Sequence, residues 1–254
     1  MPQAQASGSR RSGLASTAVE AYRAYLERQS ARLLRRSHRF VAALLAGELE
    51  RARTLFAWSR EPYEAIQPVV GAFEDLDLAI DARVNDVPPT AWTGFHRIEE
   101  ALWVQRSLAR MDPVAVKLRT DVEKLCRRLR TVPLDPAGIA SGATELLGTI
   151  TSSKIIGEED RYSHTDLWDI QANVDGAQVA FTALAGLIEA RDAELAKELR
   201  GRFADVEATL DRYRSGDGFV LSTKLTREDT RRLSQAIDAL GEPFSRVAGL
   251  VAAG

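Results

Sequence analysis

From Leu14 almost to the C-terminus, apolar residues recur every three to four positions, and no stretch of useful length alternates with period two. A chain patterned in this way hides its apolar stripes by packing helix on helix, so the expected fold is all-α. Leu14, Ala18, Tyr22, Tyr25, Leu33, Phe40, Val41 and Leu44 place a first helix over 14–46, with Gly47 as its stop. A second helix over 48–61 meets Pro62, and Pro68 marks another break. Phe73, Leu76, Ile80 and Val84 carry the pattern on to the proline-rich loop NDVPPTAWTG, 85–94. Further helices are expected over about 95–110, 113–131, 137–156, 165–190, 192–214 and 227–252.

At 254 residues the chain is long for one four-helix bundle. Two linked antiparallel bundles fit better, dividing near Pro133-Leu134-Asp135-Pro136 into about 17–133 and 134–254. Residues 1–16 begin MPQAQASGSRRSG and read as a disordered tail. Arg10-Arg11 resembles a twin-arginine export signal, but the amphipathic LASTAVEAYRAYLERQ that follows carries Glu20 and Glu27 and is no signal core. The expectation from residues alone is a cytosolic chain, or one in a mature or trimmed form.

Composition removes several function classes. A net charge of -2 gives no global attraction to nucleic acid or anionic membrane. The single cysteine, Cys126, excludes an intrachain disulfide and a cysteine-cluster metal site, so a metal here must use oxygen and nitrogen ligands. No apolar run approaches the roughly 20 residues of a membrane span. The basic run RLLRRSHR, 32–39, reads first as a solvated helix face and second as a polyanion-binding patch.

Ionisable residues on apolar faces are more telling. In TGFHRIEEALW, 93–103, His96 and Glu99 are neighbours on one helix and fall inside the stripe that also carries Phe95, Leu102 and Trp103. A carboxylate there needs a partner: a metal ion, His96 itself, or an arginine such as Arg106. In FEDLDLAID, 73–81, Asp77 borders the stripe and Asp81 lies slightly farther round. Both also read as surface acids, with Asp81 paired to Arg83. After Gly157, the run Glu158-Glu159-Asp160 crowds like charges that a cation or solvent must relieve. Ser163 and Asp166 match a capping box, and Trp168 reads as core.

Three stretches together, YEAIQPVVGAFEDLDLAIDAR (63–83), WTGFHRIEEALW (92–103) and KIIGEEDRYSHTDLWDIQANVDG (154–176), resemble the imelysin-like family, in its branch tied to EfeUOB-type bacterial iron uptake. The likeness runs from about residue 17 to the C-terminus. It implies two helical bundles with a metal site in the cleft between them. It also implies ligands at His96 and Glu99 (the family's H-x-x-E), Asp77 and Glu159, with Glu64 as a further candidate. The implied cargo is ferric or ferrous iron, with zinc or copper also suited to such a site. The implied setting is extracytoplasmic, as a monomer working with a membrane iron permease and a peroxidase partner. Many members of the branch carry an N-terminal copper-binding cupredoxin domain; this chain resembles the short form without one. Some relatives bind acidic polysaccharide, which would engage Arg32, Arg35, Arg36 and Arg39. The family has also been labelled peptidase-like. That reading would need a general base beside metal-bound water, and Glu100, about 100° round the helix from Glu99, is poorly placed for it.

Overall fold

The computed structural model describes residues 2–155 and 157–252, with side chains for these apart from 2–11 and 153. Helix α1 (Pro2–Leu45) is followed by α2 (Leu49–Glu64), the short α3 (Gln67–Val70), α4 (Glu74–Asp81), α5 (Gly94–Glu100) and α6 (Asp112–Leu129). The second half contributes α7 (Pro136–Thr149), α8 (Asp166–Glu189), α9 (Ala193–Leu210), α10 (Arg227–Phe244) and α11 (Val247–Ala252). Among the described residues the only sheet is a two-residue antiparallel pair, Arg214–Ser215 with Gly218–Phe219, which turns the chain between α9 and α10.

The all-helical expectation holds. Helix α1 packs on α2 and α6, while α7 packs on α10 and α11. Helix α8 touches α1 and α2 on one side and α7 and α9 on the other. One continuous core therefore runs from Phe40, Phe56 and Phe95 in the first half to Phe181, Phe203 and Phe244 in the second.

Four local expectations need correction. Residues 2–16, read as a tail, are helical and extend α1; Met1 lies outside the described residues. Adding residues to an existing helix avoids the cost of nucleation, so a weakly helical segment can extend a long one. The second helix does not stop at 61 but continues through Pro62 to Glu64. Proline leaves the Trp58 carbonyl without its helical donor, and the Arg36 guanidinium donates to that oxygen instead, at 2.8 Å. The helix expected over 95–110 ends early: α5 runs into a π turn, Ala101–Gln105, capped by Arg106 in the left-handed conformation. Finally, Ser163 and Asp166 form no capping box; Ser163 is spent on Glu99, and Asp166 accepts from the backbone N–H of Asp160.

Candidate metal centre

The site begins with a close approach of two helix ends. Gly94 opens α5 with φ +84°, and a Cβ on it would lie 2.2 Å from the Ile80 carbonyl oxygen at the end of α4. Only glycine accepts both the backbone angle and that contact. The Trp92 indole N–H donates to the Ala82 carbonyl at 2.8 Å and pins the returning loop. Asp81, the last residue of α4, is thereby set against His96, one turn into α5.

His96 is 2% exposed. Its Nδ1 lies 3.0 Å from Glu99 Oε2. The other Glu99 oxygen accepts from the backbone N–H of Tyr162 and Ser163 and from the Ser163 hydroxyl, at 2.7–2.9 Å. With Nδ1 protonated toward Glu99, the Nε2 lone pair is free. That nitrogen is buried without a hydrogen-bond partner, 3.5 Å from Asp81 Oδ1 and 3.9 Å from Glu159 Oε1. Ligand atoms about 2.1 Å from a shared ion stand roughly 3–4 Å apart, so this spacing suits a cation among the three. A carboxylate behind a histidine whose far nitrogen faces the ion is the common second layer of metal sites.

Arg60, fully buried on α2, neutralises the acids around this point. Its guanidinium donates to Asp81, Glu64 and Asp169, and lies 3.5 Å from Asp160 and 3.8 Å from Glu159. Lys154 enters from the π turn Ile150–Lys154 after α7, 2.6 Å from Glu64 Oε2 and 3.6 Å from Glu159 Oε1. The α8 residues Asp169 and Asn173 reach α2 because Gly176 lies against Ala65, where a Cβ would be 2.4 Å from the carbonyl oxygen. A cavity of about 150 Å³, lined by Asp77, Asp81, Arg83, Asp86, Lys154 and Glu159, leads from these groups to solvent.

Charge balance tunes each group. Burial pushes the Asp81 carboxyl up to about 6 against the pull of Arg60 and His96. Burial acts the same way on Glu159, but Lys154, His96, Arg60 and Arg83 outweigh it and hold that carboxyl at about 2. Burial and Arg60 oppose protonation of His96, yet Asp81 and Glu99 win and raise its pKa. The Asp160 and Asp169 carboxyls are raised by burial despite Arg60. Even with Arg60 and Lys154 present, the pocket holds more acids than cations can neutralise, and protons or a metal ion supply the balance.

The residues expected at the site are placed as follows. His96 Nε2 and Glu159 Oε1, from the two halves of the chain, lie 3.9 Å apart. Glu99 stands behind His96 rather than beside Glu159. Asp77 lines the cavity wall, where its Oδ1 accepts from the Tyr63 hydroxyl. Glu64 is buried with both oxygens engaged, one by Arg60 and the other by Lys154 and Asn173. The partner expected for Asp81, Arg83, instead bridges Asp86 and Glu159; Asp81 pairs with Arg60. Arg106 is exposed and plays no part.

The profile of the Imelysin family, labelled peptidase M75, matches residues 18–247. The chain belongs to the imelysin family. Imelysin relatives include proteins named "Iron uptake system component EfeO" from Escherichia coli (strain K12), Shigella flexneri and Shigella sonnei (strain Ss046). Each is 39% identical over 238 residues, covering 92% of this chain. The aligned region spans 64% of the length of each of these relatives.

Proposed function

We propose that this imelysin domain is the iron-binding part of a bacterial iron-uptake system. It takes ferrous or ferric iron as cargo between Asp81, His96 and Glu159 and passes it to a membrane permease. The observation that carries the reading is the buried, partnerless Nε2 of His96 aimed at two carboxylates from other segments. A nitrogen lone pair left dry and unbonded costs stability unless something binds there. The names of the relatives favour iron as that cargo. A mixed imidazole–carboxylate set also suits zinc or copper, so the choice rests on supply and partners.

Glu64, Asp77 and Glu99 surround this core: Glu99 orients His96, Glu64 fixes Arg60 and Lys154, and Asp77 offers a further oxygen along the cavity. The same reading puts the domain at work outside the cytoplasmic membrane, with a permease and a peroxidase as partners. No described helix is long and apolar enough to cross a membrane.

A transport role is favoured over hydrolysis by the state of the nearby acids. Glu100 is paired to Arg97 at 2.8 Å, and Glu99 is saturated by its four hydrogen bonds. Polysaccharide binding draws little support from Arg32 and Arg36, which both bond Glu61 at 2.8 Å. Titrating ferrous iron anaerobically and ferric citrate aerobically into wild type and His96→Ala tests the proposal. One equivalent bound by wild type and lost in the variant is expected; equal binding by both would refute it.

A further inference from the structure

At the mouth of the cavity stands Arg83, on the loop that follows α4. Its guanidinium is the only one among the described residues that touches Glu159 and is still about one-third exposed. Nη1 lies 3.4 Å from Glu159 Oε2, the oxygen that faces outward, while Oε1 faces His96. On its other side, Nε lies 3.5 Å from Asp86 Oδ2. Asp86 is itself fixed, because the same oxygen accepts from the Arg83 backbone N–H at 2.9 Å. Arg83 therefore stands between two carboxylates, one belonging to the site and one to its own turn. Arg60 and Lys154, by contrast, are locked in the interior.

We propose that Arg83 is a latch on the metal centre, a positioning residue that closes the mouth on Glu159 when the site is empty and, still held by Asp86, swings off Glu159 toward solvent when a cation is seated. This rests on the iron-binding reading above. An incoming cation meets the guanidinium first, and a seated cation repels it across a few ångströms of poorly screened space. Glu159 must exchange one positive partner for another, whereas Asp86 already holds Nε and keeps the guanidinium once Glu159 releases it. The latch slows ingress and lowers affinity, which suits a carrier that must release its cargo.

Zinc, free of redox complications, is the probe. Its affinity is measured by chelator competition, and its association rate by stopped-flow tryptophan fluorescence, to which Trp92 contributes from its bond to the loop at Ala82. The variants are Arg83→Gln, Arg83→Lys, His96→Ala and the double variant Arg83→Gln/His96→Ala. Arg83→Gln should bind zinc about tenfold more tightly and associate faster, as expected for removing one unit charge a few ångströms away. Raising ionic strength should narrow its difference from wild type, and Arg83→Lys should restore wild-type behaviour. Equal or weaker binding by Arg83→Gln, with His96→Ala still abolishing binding, would overturn the latch while leaving the site intact. Zinc binding that survives His96→Ala would overturn both. A common melting temperature for wild type and the single Arg83 variants separates these effects from misfolding.

Discussion

Glu99 holds His96 from behind: Oε2 is 3.0 Å from Nδ1, and the carboxylate is itself moored by three donors from the 162–163 turn. On the proposed reading the His96–Glu99 pair works in series, with His96 facing the cargo and Glu99 fixing the ring's tautomer and direction. It also ties α5 to the segment that carries Glu159. Its partners lower the Glu99 carboxyl despite burial, so it stays anionic.

This arrangement predicts that Glu99→Gln folds but binds metal about 10- to 100-fold more weakly, the usual cost of losing an orienting carboxylate. Isothermal titration with zinc checks it. A complete loss of binding with the fold intact would instead make Glu99 a direct ligand.

Asp81 and Asp77 separate cleanly. Asp81 Oδ1 faces His96 Nε2, while Asp77 is bonded to Tyr63 on the cavity wall. Asp81→Asn should reduce affinity at least tenfold more than Asp77→Asn, because it removes a charged ligand at the ion. The same titration decides, and a larger effect at Asp77 would move the ion outward along the cavity.

Protons and metal compete at this site, and the direction follows from Asp81. Its carboxyl is raised from 3.8 to about 6 in the folded protein. Without metal, its contribution to stability is present in full below pH 3.8 and is lost as the pH rises through about 6. A bound cation reverses this by needing the carboxylate. His96, also raised, must likewise lose a proton before its ring can bind metal on Nε2 while donating from Nδ1 to Glu99. The rise in melting temperature caused by zinc should therefore be large at pH 7–8 and fade toward pH 5. A zinc shift independent of pH would exclude Asp81 and His96 from the binding set.

Much of this was legible in the sequence. The helical period gave the fold class, and His96 with Glu99 stood inside an apolar stripe where ionisable groups need a reason. Arg60 is legible too: Phe56, Arg60, Tyr63 and Glu64 follow the i, i+4, i+7, i+8 spacing of one buried face. Lys154 continues the face of Ala143, Leu147 and Ile150 in the same way. An arginine or lysine on such a stripe signals a buried countercharge as surely as an acid does. What the sequence does not display is distance between elements. On a helical wheel Asp77 lies slightly nearer the apolar stripe than Asp81, and only the contact of Gly94 with Ile80 brings Asp81 to His96. The π turns at 101–105 and 150–154 likewise shift the following residues by one position against any regular wheel.

That contact carries its own prediction. Gly94→Ala forces a Cβ onto the Ile80 carbonyl and strains a left-handed φ. It should destabilise the protein by about 3 kcal/mol or more, and weaken metal binding by parting Asp81 from His96. Urea unfolding monitored by circular dichroism checks the first part. A near-neutral result would show that the α4–α5 junction is not what aligns the site.

The most direct measurement is anomalous diffraction at the iron edge from crystals loaded with ferrous or ferric iron. A single strong peak is expected within about 2.5 Å of His96 Nε2 and of oxygens from Asp81 and Glu159, with Arg60 drawn back from Asp81. A peak confined to surface acids, or none near His96 in fully loaded protein, would contradict the account.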